Sequence, residues 1–218
     1  VGDRAFAYCS KIAELNFPSQ LKEIGNWAFR NLPLITELVI PDSVTSIGNG
    51  SFYGMNSLEK ITLPFVGNNR GKTSNTYQNN FGWIFGFDST ALEGTTHQNT
   101  GNYYFHIPQT LRTVTITQDT IIPYSAFYNC SFLTEINIPD TVTAIDAYAF
   151  YNCSGISEIN IPEAVRSISS YAFYGCKGLT SIEIPKATTL GSGCFYYCTS
   201  LTSIELPEVT SLDTECFG

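Results

Sequence analysis

An A-F pair recurs along the chain at a spacing that dictates the architecture before any single element is read. Phe6, Phe29 and Phe52 stand 23 residues apart, Phe127, Phe150 and Phe173 are again 23 apart, and Phe195 and Phe217 follow at intervals of 22. A small residue precedes every anchor: Ala5, Ala28, Ser51, Ala126, Ala149, Ala172, Cys194 and Cys216. Three residues after the anchor comes Cys9, Leu32, Met55, Cys130, Cys153, Cys176 or Cys198. A short alternating run closed by proline follows, as in LVIP (38–41), ITLP (61–64), INIP (136–139 and 159–162) and IEIP (182–185). Eight anchors in register define a repeat protein.

One repeat holds too little to fold alone. The run I-x-I-P sets apolar side chains two apart on one face, which is a strand pattern, and proline ends it because it has no N–H for a ladder. The A-F-x-x-C half spaces its apolar residues one and three apart, which suits a single helical or 3₁₀ turn. A strand and a turn cannot enclose a core, whereas stacked units cover each other's open apolar ends. The expected fold is an α/β-type repeat solenoid, with a parallel sheet on one side and short helical or 3₁₀ turns opposite. Residues 1–218 read as one such domain, with early strands near 14–17, 37–40 and 60–63.

The register breaks once, where Phe52 and Phe127 are 75 residues apart. LRTVTIT (111–117) lines up with LTEINIP (133–139) and accounts for one unit, leaving an insertion at 65–106. It is rich in Asn, Thr and Gly, yet Tyr77, Trp83, Tyr103 and Tyr104 are among too many aromatics for a free linker. FGWIFG (81–86) and NYYFHIP (102–108) each read as strands, a pair lying against the solenoid. Neither chain end shows the atypical polar cap that closes a solenoid, so the sequence reads as a piece of a longer chain.

The unit I-G-x-x-A-F-x-x-C-x-x-L-x-x-I-x-I-P resembles the leucine-rich repeat subtype of BspA-like surface proteins over residues 1–64 and about 107–218. That resemblance implies a curved, right-handed leucine-rich repeat solenoid with the sheet on its concave side. It also implies location at the cell surface or in the secreted fraction, and adhesion to host or microbial surface or matrix proteins. Proline stands where the ordinary leucine-rich signature has asparagine, so details of animal and plant receptors do not carry over. The insertion resembles modules within BspA-like proteins of gut Firmicutes.

The residues argue against chemistry at a catalytic centre. Formal charge is −8 with a pI near 4.7, which disfavours nucleic acid and anionic membrane surfaces as partners. No stretch approaches the roughly 20 apolar residues that span a bilayer. The only histidines, His97 and His106, lie in or beside the insertion and form no evident trio with a nucleophile and an acid. The seven cysteines occupy positions where other units carry Leu, Met or Ala, which is how buried packing thiols behave. Neighbours such as Cys153 and Cys176 sit one strand apart, close enough for a disulfide, while cysteines in a single line cannot surround zinc. No cofactor is expected, and the chain reads as a monomer.

The candidate site is the outer side of the sheet. If Ile136 and Ile138 point inward, Glu135 and Asn137 point out. Carried along the stack, the same columns hold Glu14, Asn16, Glu37, Glu158, Asn160, Glu183 and Glu205, an acidic, amide-rich strip with Lys60 in it. The first functional expectation is a protein-interaction scaffold that binds through this strip. The alternative is a glycan-binding module using Tyr77, Trp83, Tyr103 and Tyr104, because sugar faces stack on aromatic rings. A purely structural spacer is the third.

Overall fold

The computed structural model describes residues 1–71, 76–87, 94–99 and 104–218. Two lines of short parallel strands run along the chain. The first is built from the I-x-I-P runs. Glu37–Val39, Lys60–Leu63, Thr113–Ile116 and Glu135–Asn137 lie side by side in that order, and Ser181–Glu183 pairs with Ser203–Glu205. Leu38, Ile61, Val114 and Ile136 fall in one row of the register and are buried. Thr113–Ile116 thus supplies the strand of the unit that LRTVTIT marks. The runs at 14–17 and 159–162 form no strand ladder, although Leu15 and Phe17 pack against the core and Ile159 and Ile161 are buried. Alternation decides which side chains face inward; a ladder also needs backbone groups aligned with a neighbour on each side.

The second line has no counterpart in the sequence reading. Glu23–Ile24 pairs with Ser46–Ile47, and farther on Ile121–Ile122, Ala144–Ile145, Ser167–Ile168, Thr189–Leu190 and Ser211–Leu212 form a five-stranded row. Each is two residues long and lies just ahead of an anchor. A repeat therefore has two strands and a turn, and encloses the Phe column between them.

The turns of the repeats are neither helical nor 3₁₀, which corrects the expectation. Around Phe150, the N–H groups of Ala149, Tyr151 and Cys153 donate three residues back, to Asp146, Tyr148 and Phe150 (3.3, 3.1 and 3.1 Å). The alternate N–H groups, of Tyr148, Phe150 and Asn152, donate to the next unit at Ser170, Ala172 and Tyr174 (3.2, 2.8 and 2.7 Å). A helix would keep all of these bonds within itself; here half of them tie unit to unit. The alternation of peptide direction puts the second residue on either side of the anchor at positive φ, as at Tyr148 (60°) and Asn152 (56°), Tyr171 (59°) and Gly175 (68°), and Trp27 (56°) and Asn31 (61°).

The anchors stack. Phe127, Phe150, Phe173, Phe195 and Phe217 follow with centroids 5.0–5.6 Å apart and planes within 14° of parallel. Phe6, Phe29 and Phe52 form the matching column at the other end, at 5.3 and 6.0 Å. Full burial of each such ring contributes roughly 1.5–3 kcal/mol relative to exposure.

The insertion closes the break between the two columns. FGWIFG is not a strand: Phe81–Phe85 is a 3₁₀ helix, in keeping with apolar residues at 81, 84 and 85. Gly50 and Phe52 donate to the Trp83 and Ile84 carbonyls (3.1 and 2.9 Å), and Phe81 donates to Ala126 (2.8 Å), the bonds that one repeat turn makes to the next. The Phe81 ring lies 5.3 Å from Phe127, so the missing turn is supplied from inside the insertion. Tyr104–Pro108 is a strand, as expected, but its antiparallel partner is Thr95–Asn99; residues 102 and 103 lie outside the described residues. The buried Gln98 locks this hairpin down, its Oε1 accepting from Gly82 N–H at 2.6 Å and its Nε2 donating to the Ala126 carbonyl at 2.8 Å. Gly82 is glycine because a Cβ there would lie 2.2 Å from Cβ of Phe105. Among the described residues no helix is long and apolar enough to cross a membrane.

Candidate functional site

The I-x-I-P strands carry the strip to the surface by simple alternation. Glu14, Asn16, Glu37, Glu135, Asn137, Glu158, Asn160, Glu183 and Glu205 are all exposed. The ladder sets Glu37 opposite Lys60, Lys60 opposite Thr113, and Thr113 opposite Glu135. Asn137 Nδ2 donates to Glu135 Oε1 at 2.9 Å and to Thr115 Oγ1 at 3.2 Å, and Thr113 Oγ1 donates to Glu135 Oε2 at 3.1 Å. Donors aimed at the charged form, Asn137 first and Thr113 next, hold the Glu135 carboxyl below the ordinary glutamate range. The same pairing recurs where Asn16 Nδ2 meets Glu14 Oε1 at 2.8 Å. Glu183 and Glu205 face each other directly across their ladder, a like-charge arrangement that costs stability. Glu135, Asn137, Glu158, Asn160 and Glu183 line one shallow depression. Among the described residues the one ion pair is Lys186–Glu208 at 3.3 Å, away from the strip.

The aromatics named for sugar binding divide. Tyr77 and Trp83 come together, with ring centroids 5.8 Å apart. Trp83 is half-buried against the core and its Nε1 donates to the Ile47 carbonyl at 3.0 Å, so it fastens the insertion to the solenoid. Tyr104 is exposed and lies edge-on to His97 at 6.1 Å. Tyr103 lies outside the described residues.

With the two-strand repeat and its exposed strip in place, the comparisons with known proteins fall into line. Residues 1–81 and 120–218 match the BspA type leucine rich repeat region, in six copies. The chain belongs to the BspA-type leucine-rich repeat family. No curated protein matches it. Among solved structures it is similar to a leucine-rich repeat protein from Bacteroides ovatus, with 27% identity and a TM-score of 0.60 over 93% of this chain and 45% of that one. A leucine rich cell surface protein from Faecalibacterium prausnitzii gives 21% identity and a TM-score of 0.43 over 94% of this chain and 62% of that one. A leucine-rich repeat protein of T. pallidum gives 19% and 0.44 over 86% and 78%. The chain thus spans less than half of the Bacteroides ovatus protein.

The cysteines of this BspA-type solenoid pack as interior thiols. All seven are free, and six are buried. Sγ of Cys153, Cys176 and Cys198 each lies 3.1 Å from the carbonyl of the anchor one unit back, at Phe127, Phe150 and Phe173. Burial pushes the Cys130 and Cys153 thiols well above the usual range, which makes them poor nucleophiles. Cys9 departs from the expectation of burial: it is exposed. Among the described residues no group of three or more His, Cys, Asp or Glu side chains could hold a metal ion.

One surface was missed from the sequence. On the turn side, the residue after each anchor is tyrosine through four units, and Tyr128, Tyr151, Tyr174 and Tyr196 stack face to face at 4.7, 4.6 and 5.7 Å. Tyr148 and Tyr171 form a second, adjoining column at 5.2 Å. The signal was the F-Y dipeptide at the anchors Phe127, Phe150, Phe173 and Phe195 and the Y-A-F ending at two of them.

Proposed function

We propose that this chain is a non-catalytic protein-interaction scaffold of the bacterial surface, and that it binds a partner protein through the acidic strip on its I-x-I-P face. The observation that carries this reading is a row of exposed carboxylates, Glu37, Glu135, Glu183 and Glu205 on ladder strands and Glu14 and Glu158 on the equivalent runs, with none of them engaged by a cation in an ion pair among the described residues. Among the described residues no cation of this chain pairs with the row, so a partner presenting lysine and arginine side chains fits it. The family membership supports the scaffold role, and the resemblance to BspA-like surface proteins supports display outside the cell and adhesion.

The experiment is capture of the chain on immobilised extracellular-matrix and plasma proteins at low and physiological salt. The expected result is salt-sensitive capture that disappears in Glu135→Lys/Glu158→Lys; capture that survives both reversals removes the strip. A glycan-binding role has one observation in its favour, the exposed Tyr104 beside His97 on the inserted hairpin. Capture on a glycan panel, lost in Tyr104→Ala and insensitive to the strip reversals, would establish that role instead.

A further inference from the structure

The two faces of the solenoid differ sharply in charge. The chain carries 19 acidic residues, yet the turn segments 124–131, 147–154, 170–177 and 192–199 contain no acid at all and one base, Lys177. This neutral side is where the tyrosine columns lie. Tyr128, Tyr148, Tyr151, Tyr171, Tyr174 and Tyr196 are each partly buried with an accessible edge, and Tyr197, packed edge-on to Tyr196 with centroids 4.5 Å apart, is 49% exposed. Contiguous aromatic surface of this kind on a folded protein marks a contact surface, and tyrosine is among the residues enriched at interfaces.

The ring geometry narrows the partner. Within each column the rings lie face to face, with planes 2–8° apart from Tyr128 through Tyr196 and 19° apart for Tyr148 and Tyr171. Between columns Tyr171 meets Tyr174 nearly edge-on, at 64°. The faces are therefore spent on one another. Sugar stacking needs an open face, so the columns offer a glycan little of what it uses. They present ring edges and phenol hydroxyls, flanked by a second ladder in which Asn152 Nδ2 donates to Asn129 Oδ1 at 3.0 Å.

Phenol hydroxyls and primary amides are each both donor and acceptor. A surface made of them complements itself, which is the requirement of a two-fold contact, where one patch meets its own copy. The repeat adds a second match, since a partner with the same unit-to-unit rise stays in register along the whole ladder. Charge adds a third. At a net charge of −8, two copies repel wherever their acids meet, and the turn segments 124–131, 147–154, 170–177 and 192–199 bring none of their own, with Glu215 near Tyr196 at one end of the columns.

We propose that the tyrosine columns of residues 124–197 are a homodimer interface, through which two copies of this chain associate about a two-fold axis with their acidic strips turned outward. This goes beyond the strip reading, uses a different face, and replaces the monomer expected from the sequence.

The test is sedimentation velocity of the 218-residue chain across a micromolar concentration range, comparing three variants with the unaltered chain. Asn129→Asp keeps the acceptor for Asn152 and a residue type that tolerates left-handed φ, but adds an acid to the face. Tyr197→Asp adds one at the exposed edge. Asp140→Asn alters charge by one unit outside the turn segments. The expected result is a dimer that Asn129→Asp and Tyr197→Asp each weaken by at least about tenfold, because like charges brought together in an interface are costly, with Asp140→Asn no weaker than the unaltered chain. Circular dichroism of each variant shows that the fold is retained. A chain that stays monomeric throughout overturns the proposal, as does a dimer indifferent to both added acids. A monomer captured on a neutral-glycan array through Tyr151 and Tyr174 would overturn it in favour of sugar.

Discussion

Each turn asks two residues to adopt a backbone conformation that costs most L-amino acids roughly 1–2 kcal/mol, and the units meet this in different ways. Asn129 and Asn152 occupy the second position after the anchor at φ 60° and 56°, Gly175 takes the same place at 68°, and Tyr197 holds it at 60°. Asparagine and glycine suit the conformation, whereas tyrosine is tolerated there because neighbouring bonds over-determine it. Gly175 has a second reason to lack a side chain. A Cβ on it would lie 2.2 Å from Oδ1 of Asn152, the residue whose amide bonds Asn129. Gly175→Ala therefore brings both backbone strain and a clash with the asparagine ladder, and is expected to cost at least about 2 kcal/mol, above the strain alone. The reverse replacement, Asn152→Gly, removes the ladder bond without strain and should cost less. Urea unfolding of the two variants checks the order, and equal midpoints would mean that the ladder side chains yield freely.

At the scale of elements, the inserted 3₁₀ helix and hairpin stand where one repeat turn is missing, and one buried amide ties the hairpin both to that helix and to the next repeat. Gln98 reaches from the Thr95–Asn99 strand to the Gly82 N–H and to the Ala126 carbonyl, which also accepts from Phe81. Gln98→Ala leaves the Gly82 N–H buried without its acceptor, and is expected to destabilise by about 1–3 kcal/mol. Loss should be local first, so amide exchange at Gly82 should speed up before exchange at Phe150 does; uniform acceleration would show that the insertion and the stack unfold as one. This element also marks the limit of what the sequence discloses. The Phe spacing and the I-x-I-P runs were legible because packing in a stacked repeat demands the same apolar residue at the same step. FGWIFG read as a strand because a short apolar run has no decisive period, and only its bonds to Phe52 and Ala126 identify it as a turn. The two-residue strands ahead of each anchor are too short to show alternation. The strip of Glu135 and Asn137 followed directly from strand alternation, whereas the tyrosine columns depend on a turn geometry that alternates bonds within and between units, which composition does not reveal.

At the scale of the whole molecule, most of the buried thiols and several stacked phenols are groups whose ionisation the fold opposes, and this sets the response to alkali. Burial raises the thiols of Cys130, Cys153, Cys176 and Cys194 above the ordinary value of 9.0, whereas hydrogen bonding to Cys176 and Cys194 lowers their partners Cys198 and Cys216, so the net opposition to thiol ionisation rests chiefly on Cys130 and Cys153. Desolvation and neighbouring phenols raise Tyr128, Tyr148 and Tyr151 above 10.0, and neighbouring phenols raise Tyr196. A group whose pKa is higher in the folded state binds its proton more tightly there, so its contribution is fully present below the unfolded pKa and lost as pH rises toward the folded value. Stability should be level through neutral pH, begin to fall near pH 9 as unfolded thiols ionise, and fall more steeply above pH 10 as unfolded tyrosines join them. A competing cause runs in the same direction, because a chain already at −8 gains further negative charge as its lysines deprotonate. Salt separates the two: repulsion between exposed charges more than about 10 Å apart is largely screened at 0.1 M, while the cost of ionising a buried thiol is not. Chemical unfolding followed from neutral to alkaline pH at low and high salt is the measurement. A decline from pH 9 that salt leaves in place assigns it to the buried ladders, and a decline that salt abolishes assigns it to surface charge. The Glu135 carboxyl has the opposite sign at the other end of the scale, its depressed value stabilising the fold above the unfolded glutamate pKa and ceasing to do so as pH falls through its own. Its exposure keeps that effect small, so acid should affect the proposed binding strip before it affects the stack.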